Sequence, residues 1–80
     1  MALLHRLFQH EDETVAASIR RQRLERTRHD LADPAQRTTP VHAIATRWGF
    51  PRAAEFTRAF RTAYGIPPKE YRHQTQGIAE

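Results

Sequence analysis

From Thr39 onward the apolar positions recur with helical spacing. Val41, Ile44, Ala45 and Trp48 fall at i, i+3, i+4 and i+7, one stripe on a helix. Thr39 is a predicted N-cap, and Pro40 fits the first helical position, where its missing N–H costs nothing. Gly49 can take the positive φ that ends the helix. Pro51 then opens a second helix at N1. In that helix Ala53, Phe56, Phe60, Ala63 and Tyr64 form the inner stripe, while Ala54, Glu55, Arg58, Arg61 and Thr62 face out. Gly65 stops it, Ile66 supplies the hydrophobic contact of a Schellman-type end, and Pro67 bars continuation. Pro68 starts a last short helix through Lys69, Glu70, Tyr71 and Arg72, and the chain from about Thr75 is expected to be a disordered tail.

The pattern before Thr39 is looser. Ala2–Gln9 reads as a short helical piece with Leu3, Leu4, Leu7 and Phe8 apolar, and His10–Glu13 breaks it. Thr14 is an N-cap for a longer helix running to about Leu31. Val15, Ile19, Leu24, Thr27 and Leu31 are expected inward, with Ala16 filling the seam. Asp33-Pro34 ends that helix and Ala35–Thr38 is the connection. Arg20, Arg21, Arg23, Arg26 and Arg28 line much of its remaining surface. Two readings fit them: a phosphate-binding basic arm, or a scaffold helix whose arginines are solvated and partly paired with Glu25 and Asp30, Arg26–Asp30 having the i,i+4 spacing.

Strand-forming residues are scarce outside the helical stripes, so the fold class is all-α. Two helices joined by a short glycine turn make a helix-turn-helix, a motif that often presents its second helix to the DNA major groove. Charge sharpens this. Residues 1–36 hold six Arg against six Asp or Glu, whereas residues 37–80 hold seven Arg or Lys against three acids, so the whole net charge of +4 lies in the half with the motif. A basic field there draws in a polyanion. The chain has 80 residues, enough for one small domain, and no cysteine, which excludes disulfides and fits a reducing cytoplasm. No apolar run is long enough to span a membrane.

Catalysis has little support, and the chain is not read as an enzyme. The five histidines (His5, His10, His29, His42, His73) include no i,i+4 pair of the helical zinc type, and Glu11-Asp12-Glu13 reads as a solvated turn. No glycine-rich phosphate loop, nucleophile elbow or carboxylate pair is evident. No metal and no cofactor is expected.

The stretch Ile44-Ala45, Trp48-Gly49-Phe50, Phe56–Arg61, Tyr64–Pro68 and Tyr71-Arg72 closely resembles the C-terminal signature of AraC/XylS-type bacterial transcription regulators. Ile19–Glu25 resembles the linker helix between that family's two helix-turn-helix units, and Leu4–Phe8 the end of the first unit's recognition helix. Asp12 stands where the family often has a helix-ending glycine, and Ser18 where an aromatic often packs. The resemblance implies a homeodomain-like helix-turn-helix preceded by a long linker helix. Residues 1–36 are then a remnant of the first unit plus the linker, residues 37–74 the intact second unit with its C-terminal helix, and residues 75–80 the tail. The first unit is largely missing on this reading.

The resemblance puts the groove-facing positions at Arg52, Ala53, Ala54, Glu55, Thr57, Arg58 and Arg61. Chemistry sorts them: Arg52 and Arg58 can fork onto guanine, Glu55 can accept from cytosine N4, and Thr57 and the alanines suit thymine methyl groups. The plainer account of Arg52, Glu55 and Arg58 is a surface ion-pair ladder at i,i+3. Thr39, Thr46, Arg47, Lys69, Arg72 and His73 are candidate phosphate contacts, which position without specifying. Trp48, Phe50, Phe56, Phe60 and Tyr64 are core. The partners implied are double-stranded DNA and RNA polymerase, with no membrane. The alternative is a protein-interaction or self-associating helical fragment, a homo-oligomer through the apolar side of its first two helices.

Overall fold

A computed structural model describes residues 14–77, and these form four α-helices with no strand among the described residues. They are α1 (Val15–Ala32), α2 (Val41–Arg47), α3 (Ala53–Tyr64) and α4 (Pro68–Gln76), with one 3-10 turn at Pro34–Gln36 between α1 and α2. The expectations for Ala2–Gln9, His10–Glu13 and residues 78–80 lie outside the described residues.

Thr14 caps α1 as its sequence predicts, its hydroxyl accepting from the Ala17 N–H at 3.0 Å. The predicted inner stripe of this helix is half right. Leu24, Thr27 and Leu31 are buried, and the Thr27 hydroxyl is satisfied by the Leu24 carbonyl at 2.7 Å. Val15 is 77% and Ile19 41% exposed, and Ala16 is also exposed. Helical spacing marks which residues share a face, but burial requires a partner, and the rest of the described chain packs against the C-terminal half of α1.

Helix α2 begins one residue later than expected. Pro40, not Thr39, is its N-cap, and the Pro40 carbonyl accepts from Ala43 and Ile44. The Thr39 hydroxyl is turned instead to the Gln36 side-chain oxygen at 3.1 Å. At the other end Gly49 adopts φ 94°, and Phe50 N–H donates to Ala45 O at 2.9 Å while Gly49 N–H donates to Thr46 O at 3.1 Å. That pair of bonds is the Schellman closure, so the motif stands here rather than at Gly65. Gly65, φ 85°, closes α3 with a single bond to Arg61 O at 2.8 Å. Pro51 lies outside α3, which starts at Ala53 with Arg52 as its cap.

The core is an aromatic ladder. Phe60, fully buried, has ring centroids of Phe56, Tyr64 and Tyr71 at 5.7, 4.7 and 5.6 Å, and Phe50 stands 5.3 Å from Phe56. Leu24, Leu31, Ile44, Ala45 and Ala59 complete it. Ala59 replaces the expected Ala53 and Ala63, both of which are exposed. The inner face of α3 is therefore centred on Phe56, Ala59 and Phe60, and narrower than the predicted stripe.

Helix α4 is longer than predicted. Thr75 and Gln76 lie in its last turn, not in a disordered tail. The Gln76 amide donates to Leu31 O at 2.7 Å and Asp33 O at 3.2 Å, satisfying carbonyls at the end of α1. This tertiary role, invisible to local pattern, keeps the helix going.

Candidate nucleic-acid interface

Three clusters fix the frame that carries α3. In the first, Asp30 of α1 accepts at one oxygen both the Trp48 indole N–H, at 2.8 Å, and Arg47, at 3.0 Å. The Asp30 side chain is only 14% exposed, so this bond ties the helix-turn-helix turn to the scaffold where water competes little. Arg26 adds its guanidinium 5.5 Å above the Trp48 ring. The expected Arg26–Asp30 pair is thus replaced by two contacts that share Trp48.

In the second, Glu25 receives two bonds from Arg28, at 2.6 and 3.0 Å, and the Tyr64 hydroxyl at 2.7 Å. Arg28 also donates to the Tyr71 hydroxyl at 3.3 Å and lies 5.5 Å from the Tyr64 ring. The cluster joins α1, α3 and α4. Hydrogen bonds from Arg28 and then Tyr64 hold the Glu25 carboxyl down at about 2, and burial with the Glu25 bond pushes the Tyr64 hydroxyl up to about 12. Arg28 is raised above its ordinary value, first by the same bond to Glu25.

In the third, Arg72 is buried, and its guanidinium donates to the carbonyls of Thr39 at 2.6 Å and of Gln36 and Arg37, both at 3.4 Å. It caps the loop between α1 and α2 from within. Burial lowers its pKa from the ordinary value.

What remains outside is the far face of α3. Ala53, Ala54, Thr57, Arg58, Arg61 and Thr62 line a wide, open depression there, and all six are exposed. Beside it Arg52 pairs with Glu55 at 2.9 Å, with the two side chains 78% and 59% exposed. Half of the expected ladder is therefore formed; Arg58 and Arg61 have no carboxylate partner among the described residues.

A profile of a helix-turn-helix domain family, of the AraC type, matches residues 2–74. The chain belongs to the AraC-type helix-turn-helix family. No solved structure matches it. This AraC-type domain is a DNA-binding unit of transcription-regulator type, and its family is typically non-enzymatic. No group of side chains able to hold a metal, and no helix long and apolar enough to cross a membrane, occurs among the described residues.

The sequence-expected site residues of this AraC-type chain separate into two groups. Arg52, Glu55, Thr57, Arg58 and Arg61 share the exposed side of α3 and its entry. Thr46 and Lys69 are exposed, His73 is half-buried, and Arg47 keeps donors free beyond its Asp30 bond. Arg72 and Thr39 leave the phosphate set. The two terminal nitrogens of the buried Arg72 donate to three backbone carbonyls, and the Thr39 hydroxyl proton is engaged by Gln36. What sequence reasoning missed is the bonding of Glu25, Arg28 and Asp30 to later elements, and the role of Gln76. Those cross-element partners lie 17 to 45 positions away in sequence, beyond any local spacing rule.

Proposed function

We propose that this chain reads the sequence of duplex DNA by seating the outer face of α3 in the major groove. One observation carries the reading: that face combines small side chains with arginines lacking carboxylate partners among the described residues, on a helix whose other face is locked into the core. Small residues let the helix approach base edges. Arg58 forks onto guanine O6 and N7, Thr57 and the alanines meet thymine methyl groups, and Arg61 extends the contact towards the helix end. Arg52 and Glu55 join once their pair opens, which at such exposure costs a few tenths of a kcal/mol. Thr46, Arg47, Lys69 and His73 take phosphates, fixing register without specifying sequence.

Anisotropy titrations of the chain against duplex DNA at several salt concentrations test this. About four phosphate contacts give a slope of log affinity on log salt of roughly −3 to −4. A flat response, or no binding at low salt, removes DNA binding. Arg58→Ala should cost about 1–3 kcal/mol and relax preference at one base pair, whereas Lys69→Ala should weaken all sequences alike. A uniform loss on Arg58→Ala refutes its assignment to base readout.

The exposure of Val15 and Ile19 favours a second reading, self-association through the start of α1. Sedimentation across a concentration series decides it. A dimer abolished by Ile19→Asp supports the idea, and a strictly monomeric chain removes it.

A further inference from the structure

We infer that the DNA-backbone surface extends from the helix-turn-helix onto α1, where Arg20 and Arg23 hold the phosphate strand beside the groove that α3 enters. The inference rests on the reading of α3 just given and adds to it the strand that α1 grips.

Two clefts separate the N-terminal half of α1 from the turn and α3. One, of about 220 Å³, is lined by Arg20 and Arg23 together with Gly49, Phe50 and Glu55. The other, of about 310 Å³, is lined by Arg20 with Arg58, Thr62 and Ala63. Arg20 belongs to both, so its side chain stands on the flank of α3 level with Glu55 and Arg58. Arg23 lies against the turn itself. A Cβ placed on Gly49 would meet its Cζ, Nε and Nη1, each at 3.2 Å. Equal distances to three guanidinium atoms mean the plane lies face-on to the glycine, which leaves its in-plane N–H donors clear of the turn. Gly49 thus serves the positive φ and the seat of an arginine at once.

The distribution of partners points the same way. Arg28, Arg47 and Arg52 have carboxylates, and Arg72 has backbone carbonyls. Arg20, Arg23, Arg58 and Arg61 have no carboxylate partner among the described residues. All four line α3's outer face or the clefts beside it. Guanidinium groups gathered on one side with no carboxylate partner among the described residues raise the local positive potential, and their forked donors match phosphate oxygens. A helix lying in the major groove has phosphates on both walls, so groups flanking that helix meet backbone rather than base edges.

The experiment is a salt titration of the full chain against two duplexes, one of random sequence and one enriched from a random pool. It is run for wild type, Arg20→Ala and Arg20→Lys, with a thermal melt of each variant to confirm folding. Removing one phosphate contact should lower the salt slope by about 0.9 and weaken binding to both duplexes by the same factor. Arg20→Lys should restore most of it, because a point charge suffices for phosphate. Arg23→Lys should behave in the same way. An unchanged slope in Arg20→Ala, with wild-type binding intact, overturns the role of α1 and leaves the reading of α3 standing. Loss confined to the enriched duplex also overturns it, since Arg20 would then be reading a base. Failure of the wild type to bind either duplex removes both proposals.

Discussion

The two halves of α1 are one helix with two fates. From Leu24 to Ala32 the large apolar residues Leu24 and Leu31 are buried, and Glu25, Arg28 and Asp30 are bonded to side chains of α2, α3 or α4. From Val15 to Arg23 the apolar residues face out, and Arg20 and Arg23 lack carboxylate partners among the described residues. The backbone is equally helical in both. What differs is the neighbourhood: in the inner half Glu25, Arg28 and Asp30 meet side chains of later elements, so Arg28 becomes a clamp. In the outer half Arg20 and Arg23 form no ion pair among the described residues, so these two arginines stay available to a ligand.

The comparison is broken most forcefully from the inner side. Phe60 is fully buried and touches the rings through which Glu25 and Arg28 grip α3 and α4. Phe60→Ala should cost about 3–5 kcal/mol and leave so small a domain largely unfolded in a denaturant titration. A cooperative variant of near wild-type stability contradicts the core described above.

Next comes Asp30→Ala. It removes the acceptor of the half-buried Trp48 N–H and of Arg47 together, and an orphaned donor of that kind costs about 1–3 kcal/mol. Trp48→Phe should cost less, since it removes the donor with its bond. A double-mutant cycle gives the coupling, and a value near zero shows that the bond does not anchor the turn.

Glu25→Gln should be milder, about 1 kcal/mol, because the side chain is 47% exposed and water screens the pair. Its sharper signature is pH dependence. The folded carboxyl is lowered from 4.5 to about 2, by Arg28 first and Tyr64 second. Its contribution is therefore complete above the unfolded value and is lost as pH falls from there towards 2. Wild type should lose its advantage over Glu25→Gln across that window. Parallel stability curves from neutral pH down to 2 refute the low carboxyl pKa.

The same contrast explains what the sequence made legible. Gly49, Gly65, the aromatic spacing of Phe56 and Phe60, and the Thr14 cap are local signals, and the helix-turn-helix follows from them. The exposed set Ala54, Glu55, Arg58, Arg61 and Thr62 was legible for the same reason, being the complement of the inner stripe. The burial of Arg72 is not legible, because a basic residue near the end of a basic domain gives no hint that three carbonyls await it. The exposure of Val15 and Ile19 is not legible either, because periodicity supplies a face but not the surface that covers it.

The smallest expected effect sits in that outer half. Ile19 is 41% exposed and Val15 77%, so much of their apolar surface is already in water and little transfer free energy is lost by removing it. Ile19→Ser should shift stability by no more than about 0.5 kcal/mol, against the about 2–5 kcal/mol expected for Leu24→Ala on the buried half of the same helix. Urea melts of the two variants at matched protein concentration give the ratio directly. If Ile19→Ser costs as much as Leu24→Ala, the outer half is covered in solution and the contrast between the halves collapses. If its cost grows with protein concentration, the cover is a second copy of the chain, because stability gained by association follows mass action. A small cost independent of concentration leaves the start of α1 open, with Arg20 and Arg23 free to meet the phosphate strand.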